Sequence, residues 1–201
     1  MSHSKAGQLS REETDAVIAG CLTGDQSGYS QLYDTYAAGV YRLCYSLLMN
    51  REDAEDVVQE SFVYAFKNLH RYDSSRAAFK TWLYTIAISR CRNMYRRNRS
   101  ILTELTQLLN TLPGPKSDTP EAAWAQTSAQ DALKRALTTL SPRLREAVVL
   151  RYGHGLTYRE MAEVIGCPAK TAESRVRLAH KALRGMLQPV GQGLLEELLS
   201  F

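Results

Sequence analysis

The sequence predicts an all-α protein made of two small helical domains, a helical bundle and a helix-turn-helix, joined by a polar linker. Apolar residues recur at helical spacing along most of the 201 residues. A run rich in Pro, Gly, Ser and Asp interrupts this pattern at 113–120. We expect an N-terminal helix over 1–24, the bundle over 25–99, the linker over 100–127, the helix-turn-helix over 128–187 and a tail over 188–201.

The N-terminal half carries start signals and apolar faces for four helices. Ser10 and Glu13 have capping-box spacing, in which each side chain accepts the other's backbone N–H, and Asn50 caps the third helix. A fourth helix is predicted from about Phe79 to Arg97. The residues expected to face inward are Leu32, Tyr36, Val40, Leu43, Leu47, Ala54, Val57, Val58, Ser61, Ala65, Leu83, Tyr84 and Ile86.

Residues 141–187 have the order of a helix-turn-helix. Ser141-Pro142 starts one helix and a glycine pair ends it. Thr157 and Glu160 form a second capping box, and a Gly-Cys-Pro turn leads into a longer helix. That last helix has two faces. Its apolar stripe is Ala172, Val176, Ala179 and Leu183, and its polar stripe is Lys170, Ser174, Arg177 and Lys181.

Charge is distributed in blocks. Residues 141–187 hold nine Lys and Arg against four acids, and residues 70–99 hold eight against one Asp. Residues 50–60 hold five acids and one Arg. A basic helix after such a turn suits the major groove and its phosphates, whereas the alternative is an ordinary solvated face. Blocks of opposite sign favour several partner surfaces, with nucleic acid as one partner.

The sequence gives no reason to expect a cofactor, a metal or a catalytic site. The four cysteines are far apart and lack metal-ligand spacing. No phosphate-binding loop or nucleophile arrangement is present. No apolar run has the length of a membrane span, and the N-terminus lacks a signal-peptide segment. We expect a soluble, cytoplasmic protein.

Three segments together resemble one protein family. DAEDVVQESF and FKTWLYTIA resemble region 2, and LSPRLREAVVLRYGHGLTYREMAEVIGCPAKTAESRVRLAHKAL resembles region 4, of bacterial RNA polymerase sigma factors of the extracytoplasmic-function class, in the sigma-70 family. The resemblance implies a factor that binds core RNA polymerase and directs transcription initiation at particular promoters. It implies that region 2 reads the −10 element and the helix-turn-helix reads the −35 element.

The resemblance also implies site residues. Those expected at the −35 element are Lys170, Thr171, Glu173, Ser174, Arg175, Arg177 and Lys181. Those expected at the −10 element are Tyr72, Asp73, Ser74, Ser75 and Arg76, where the loop would hold a flipped-out base, and Lys80, Ser89, Arg92, Asn93, Arg96 and Arg97. The acidic face expected on the clamp coiled coil of the largest polymerase subunit is Asp53, Asp56, Gln59 and Glu60. Region 4 would contact the flap, and an anti-sigma factor is a further possible partner.

Several positions depart from the family pattern or allow two interpretations. Many family members have Asn at Ser89, Asp at Asn93 and Lys at Glu173, which leaves the promoter sequence open. Trp82 could stack on a base, but a tryptophan in the middle of a helix favours the core. The acidic apolar tail after Pro189 either covers the C-terminal domain or latches over the DNA-reading face.

Two other classes of protein remain as alternatives. A stand-alone transcription regulator would need only the helix-turn-helix, with an N-terminal domain that binds a ligand or forms a dimer, and the basic block at 79–99 would then have no role. An enzyme acting on nucleic acid would need a catalytic motif, and the pair Asp53 and Asp56 lacks a convergent histidine or third carboxylate.

Overall fold

The computed structural model describes the backbone of residues 9–109 and 135–184, and the side chains of residues 9–98 and 135–184. All regular structure in these two ranges is helical, so the predicted all-α class is confirmed. We call residues 9–109 the N-terminal half and residues 135–184 the C-terminal half. Residues 110–127 of the expected linker and the tail after Pro189 lie outside the described residues.

The N-terminal half consists of four α-helices. They are α1 (Arg11–Leu22), α2 (Ser27–Leu48), α3 (Arg51–Lys67) and α4 (Phe79–Leu109), with a 3-10 turn at Leu69–Arg71. The C-terminal half has a helical segment at 135–139, then α5 (Pro142–Val148), a π-helical turn (Val149–Gly153), α6 (Tyr158–Ile165) and α7 (Ala169–Arg184).

The predicted helix starts form as expected. At α1 the Ser10 backbone N–H donates to Glu13 Oε2 over 2.7 Å, and the Glu13 N–H donates to Ser10 Oγ over 3.1 Å. At α6 the Thr157 N–H donates to Glu160 Oε2 over 2.8 Å. Each box satisfies backbone donors that the helix itself leaves unpaired. These contacts confirm both capping boxes.

The apolar faces predicted from periodicity form the core. All thirteen residues predicted to face inward in the N-terminal half are buried except Tyr36, which is half-buried and packs against the cluster. The apolar stripe of α7 is buried along its whole length. Gly166, with φ of +68°, ends α6 in the left-handed conformation that glycine adopts at little cost. That conformation makes the tight turn into α7.

The helix α4 is longer than predicted. We expected it to end near Arg97, and it continues to Leu109. The expected end was wrong because no Gly or Pro occurs between residues 98 and 109, and the first proline beyond is Pro113.

The two halves pack directly against each other, a contact that periodicity did not predict. The helix α4 packs on α6, and α2 packs on the π-helical turn. One apolar cluster contains buried residues of both halves, including Leu83 and Ile88 from α4 together with Leu150, Met161 and Ile165. The N-terminal and C-terminal halves therefore share part of one core.

Candidate nucleic-acid and polymerase interfaces

The polar stripe of α7 faces solvent. Lys170, Arg177 and Lys181 are exposed, and Ser174 is half-buried. Three further residues of α7 were predicted to contact the −35 element. Of these, Glu173 is exposed, whereas Thr171 and Arg175 are half-buried. A row of cations on the exposed side of a helix that follows a tight turn is suited to phosphates and groove edges. The exposed Glu173 carboxylate places one acidic group within this row.

The loop at residues 72–76 is held by hydrogen bonds within the N-terminal half. The Asp73 carboxylate accepts from the backbone N–H of Ser75 over 2.9 Å and from its hydroxyl over 2.6 Å. These bonds lower the pKa of Asp73 and keep it ionised. The Ser74 carbonyl accepts a hydrogen bond from Arg11 of α1. Ser75 and Arg76 are exposed at the surface of this loop.

Two half-buried aromatic residues, Tyr72 at the start of the loop and Trp82 in α4, pack against the core. The Tyr72 hydroxyl donates to Asp15 over 3.1 Å, and its ring meets that of Phe79 edge-on at 5.5 Å. Trp82 is half-buried, with its ring centroid 5.6 Å from that of Tyr72 and 5.7 Å from that of Phe79. This packing favours the core interpretation of Trp82 and leaves only part of its ring at the surface.

Four predicted −10 residues share an exposed face of α4, which we call the −10 face: Ser89, Asn93, Arg96 and Arg97. Asn93 accepts a hydrogen bond from Arg96 one turn later. Two arginines exposed side by side repel each other, and a phosphate backbone would relieve that repulsion.

Arg92 and Lys80 lie apart from this exposed face and point toward the C-terminal half. Arg92 Nε donates to Glu146 Oε1 over 2.8 Å, and Nη2 donates to Oε2 over 2.7 Å. The Glu146 carboxylate raises the pKa of Arg92. Lys80 is half-buried, its Nζ lies 5.5 Å from the ring centroid of Tyr84, and burial lowers the pKa of its ammonium. Neither residue is fully available to DNA in this arrangement.

Glu146 and Arg145 are functional candidates that sequence reasoning missed. Both lie in α5 and are buried, at 1% and 8% exposure. Arg145 donates to the backbone carbonyls of Leu137, Thr138 and Leu140 in its own half and of Leu47 in the other. The sequence signal was an Arg-Glu pair directly before an uninterrupted apolar run, where a solvated pair is not expected.

The predicted polymerase face lies on α3. Asp56, Gln59 and Glu60 are exposed, and Glu60 lies 3.6 Å from the Arg90 guanidinium. Asp53 is half-buried and accepts a hydrogen bond from Asn98 over 3.1 Å. The structure therefore brings three of the four residues to one open surface and gives Asp53 a bond to α4.

An aromatic groove adjoins this acidic surface. Gln59 lines it together with Tyr33 and Tyr41 of α2. Tyr33 is exposed and Tyr41 is half-buried. Aromatic rings beside a polar, charged rim are a common composition for a protein–protein contact.

The described residues show neither a metal centre nor a membrane span. Within these ranges no three His, Cys, Asp or Glu side chains are grouped to hold a metal ion. The four cysteines are free, and Cys21, Cys44 and Cys91 are buried. None of the helices described has the combination of length and apolarity that crossing a bilayer requires.

Comparison with known proteins gives two family matches and several relatives. Residues 32–101 match Sigma-70 region 2, and residues 130–183 match Sigma-70, region 4. The ECF RNA polymerase sigma factor SigW of Bacillus subtilis is 30% identical over 82% of this chain and 91% of its own length. The ECF RNA polymerase sigma-E factor of Escherichia coli is 30% identical over 90% of this chain and 98% of its own length.

Two solved structures share the fold. CnrH in complex with the cytosolic domain of CnrY aligns with a TM-score of 0.64 at 25% identity, over 88% of this chain and 97% of that one. The sigma factor RpoE in complex with the anti-sigma factor NepR, from Bartonella quintana, aligns with a TM-score of 0.62 at 25% identity, over 81% of this chain and 98% of that one.

These relatives extend over both halves of the chain and over nearly their own full lengths. The α7 stripe lies in the region 4 match, and the α3 surface and the −10 face lie in the region 2 match. The chain belongs to the extracytoplasmic-function sigma factors, transcription initiation factors that direct RNA polymerase to promoters.

Proposed function

We propose that α3 docks this sigma factor on core RNA polymerase. Its contact surface comprises Asp56, Gln59 and Glu60, with the aromatic groove of Tyr33 and Tyr41 beside it. The acidic side chains would meet basic residues of the clamp coiled coil of the largest subunit, and the rings would supply apolar area. Asp53 supports this surface from the side through its bond to Asn98.

We propose that the −10 face of α4 and the loop at 72–76 bind the −10 element. Ser89, Asn93, Arg96, Arg97 and Arg76 are exposed for phosphate and base contacts. Because its own hydrogen bonds already hold the loop, less conformational entropy is lost when a base enters it. Arg92 and Lys80 extend this surface once they are released from the C-terminal half.

We propose that α7 reads the −35 element in the major groove. Lys170, Arg177 and Lys181 contact phosphates or purine edges, and Thr171, Ser174 and Arg175 lie closer to the groove floor. The exposed carboxylate of Glu173 suits a cytosine amino group, which is the base-edge donor that an acidic side chain accepts from.

We further propose a cytoplasmic, non-catalytic protein that works through its partners. Core polymerase supplies the chemistry, with its flap against the C-terminal half, and promoter DNA is the second partner. An anti-sigma factor is a third, since the structural relatives CnrH and RpoE were solved in complexes with other proteins, in the second case an anti-sigma factor.

The observation that carries this proposal is a pair of exposed basic surfaces, on α4 and α7, in one chain with an acidic docking surface. A stand-alone regulator would not need the first of these surfaces. The test is transcription of fragmented genomic DNA by core polymerase with and without this protein, followed by mapping of RNA 5′ ends. We expect new start sites with common −10 and −35 sequences. Tight promoter binding by the isolated protein with no new start sites would instead support the regulator.

A further inference from the structure

One large apolar side chain is exposed on the helix that we assign to the −35 element. Leu178 of α7 is 53% exposed. Among the described residues of the C-terminal half it is the only exposed large apolar side chain, and the others in the described part of the chain lie on α1, α2 and α3. A single exposed leucine is ordinary in a folded protein, so its neighbours decide whether it has a role.

Leu178 does not serve the core of the C-terminal half. That core takes the other side of α7, where Ala172, Val176, Ala179 and Leu183 are buried. Within the described ranges, Leu178 belongs to neither apolar cluster, even among the partly buried side chains packed against them. Since burial of apolar surface is what makes a leucine stabilising, this position contributes little to the folded chain.

The neighbours of Leu178 are those of the surface proposed to enter the major groove. The exposed cations Arg177 and Lys181 lie one residue before it and three residues after it. Spacings of seven and four residues place the half-buried Thr171 and the exposed Ala182 on the same side of the helix as Leu178. Leu178 therefore belongs to a short strip of small and apolar groups that runs beside the row of cations.

The major groove contains one group that matches such a side chain. Base edges there present hydrogen-bond donors and acceptors, and their apolar group is the C5-methyl of thymine. Covering this methyl group with Leu178 removes apolar surface of both partners from water, which favours the complex. A cytosine at the same position has no methyl group, and it presents an amino donor that a leucine leaves without an acceptor.

We propose that Leu178 is a specificity-determining residue that recognises a thymine of the −35 element through its C5-methyl group. The cations beside it hold the helix in the groove, and the apolar contact gives thymine the advantage over cytosine at that base pair. The inference rests on the proposed function, since it requires α7 to lie in the major groove of the −35 element. It adds an apolar contact to the polar contacts proposed for Glu173, Ser174 and Arg177.

The test alters each side of this contact separately. On the DNA, each thymine of a −35 duplex taken from the mapped promoters is replaced in turn by deoxyuridine, which lacks only the C5-methyl group. On the protein, Leu178→Ala shortens the side chain. Leu22→Ala is the matched control, because Leu22 is also 53% exposed but lies on α1. The affinity of each assembled holoenzyme for each duplex is measured by fluorescence anisotropy.

We expect one thymine at which deoxyuridine weakens binding of the wild-type holoenzyme about three- to fivefold, the factor that corresponds to one buried methyl group. Leu178→Ala should weaken binding to the thymine duplex by at least as much, and should no longer distinguish thymine from deoxyuridine at that position. Leu22→Ala should keep the whole wild-type difference. The melting temperature of Leu178→Ala should match that of wild type, because the side chain lies outside the core.

Three results would overturn the inference and leave the proposed function standing. In the first, the holoenzyme binds its promoter and responds to Arg177→Ala, but tolerates deoxyuridine at every thymine. In the second, Leu178→Ala keeps the wild-type preference for thymine. In the third, Leu178→Ala weakens assembly with core polymerase, so that Leu178 contacts protein rather than DNA. If the wild-type holoenzyme shows no sequence-specific promoter binding, the proposed function itself fails, and the inference fails with it.

Discussion

The Tyr84 hydroxyl lies 3.0 Å from Nδ1 of His154, and the two rings meet edge-on with centroids 5.1 Å apart. This contact joins α4 to the loop after the π-helical turn, across the boundary between the halves. Burial lowers the pKa of His154 to about 3, and the positive charges of Lys80 and Arg42 add to the effect. His154 is therefore neutral in the folded protein at neutral pH.

Because His154 is neutral in the folded protein, we expect the free energy of unfolding to decrease at acidic pH. The folded chain keeps this imidazole neutral down to about pH 3, whereas the unfolded chain protonates it near its usual pKa of 6.5. The unfolded state thus binds an extra proton between these values, and the free energy of unfolding falls as the pH is lowered through this window. We expect a loss of about 2 kcal/mol between pH 7.5 and pH 5, measured by urea unfolding.

Replacing this histidine should remove the effect. His154→Gln is expected to lower stability at pH 7.5 and to flatten the dependence between pH 7.5 and pH 5. His70→Gln, at an exposed position on the 3-10 turn, is the matched control and should keep the wild-type profile. An unchanged pH profile in His154→Gln would mean that other groups cause the loss.

We expect substitution of Arg145 to lower the free energy of unfolding substantially. Its guanidinium donates to four backbone carbonyls and to the Tyr95 hydroxyl, most of which are buried. Arg145→Met fills a similar volume but leaves these acceptors unpaired, and we expect about 2–4 kcal/mol lower stability by thermal or urea unfolding. Arg143→Met on the exposed side of the same helix should change it by less than about 0.5 kcal/mol. Similar losses for both would contradict the anchoring role of Arg145.

The acidic surface of α3 predicts dependence on core polymerase. Asp56→Arg combined with Gln59→Ala should reduce co-elution with core polymerase and weaken its apparent Kd by at least tenfold, because an attractive charge becomes repulsive. Both side chains are exposed, so the melting temperature should stay close to that of wild type. Glu12→Arg on α1 is the control for reversing one exposed acid. Wild-type binding by the double variant would remove this surface from the docking site.

We expect substitution of Arg177 to change the salt dependence of DNA binding. Arg177→Ala in the assembled holoenzyme should weaken binding to a −35 duplex, and a phosphate contact would reduce the slope of log K against log salt by about one. If Arg177 contacts a base instead, discrimination between sequences should fall by about 1–3 kcal/mol. Arg143→Ala, on the exposed side of α5, is the control and should keep the wild-type affinity, slope and discrimination. Unchanged affinity, slope and discrimination would mean that this position does not enter the groove.

Local patterns predicted most of the helices because their signals are short-range. The Ser10 and Thr157 capping boxes each depend on a partner three residues away, and the stripe through Ala172 and Leu183 depends only on helical period. The face of α3 was predictable for the same reason. Where these signals were weak, between residues 98 and 109, the predicted end of α4 was wrong.

The contacts between the halves were not predictable from the same signals. Arg92 and Glu146 are 54 residues apart in sequence, so no local period relates them. The basic block at 70–99 correctly suggested a charged surface, but it could not distinguish the exposed Arg96 from the paired Arg92. Only the packing of α5 and α6 on α4 makes that distinction.

The apolar cluster that both halves share has a consequence for how the protein melts. When residues such as Leu83 and Met161 belong to one core, neither half can expose its side of that core without destabilising the other. The chain should accordingly lose its structure in a single cooperative transition, with equal calorimetric and van't Hoff enthalpies. Two halves without a shared core would instead melt separately, each on its own smaller core. The number of heat-absorption peaks thus reports whether the molecule is behaving as one folding unit or as two.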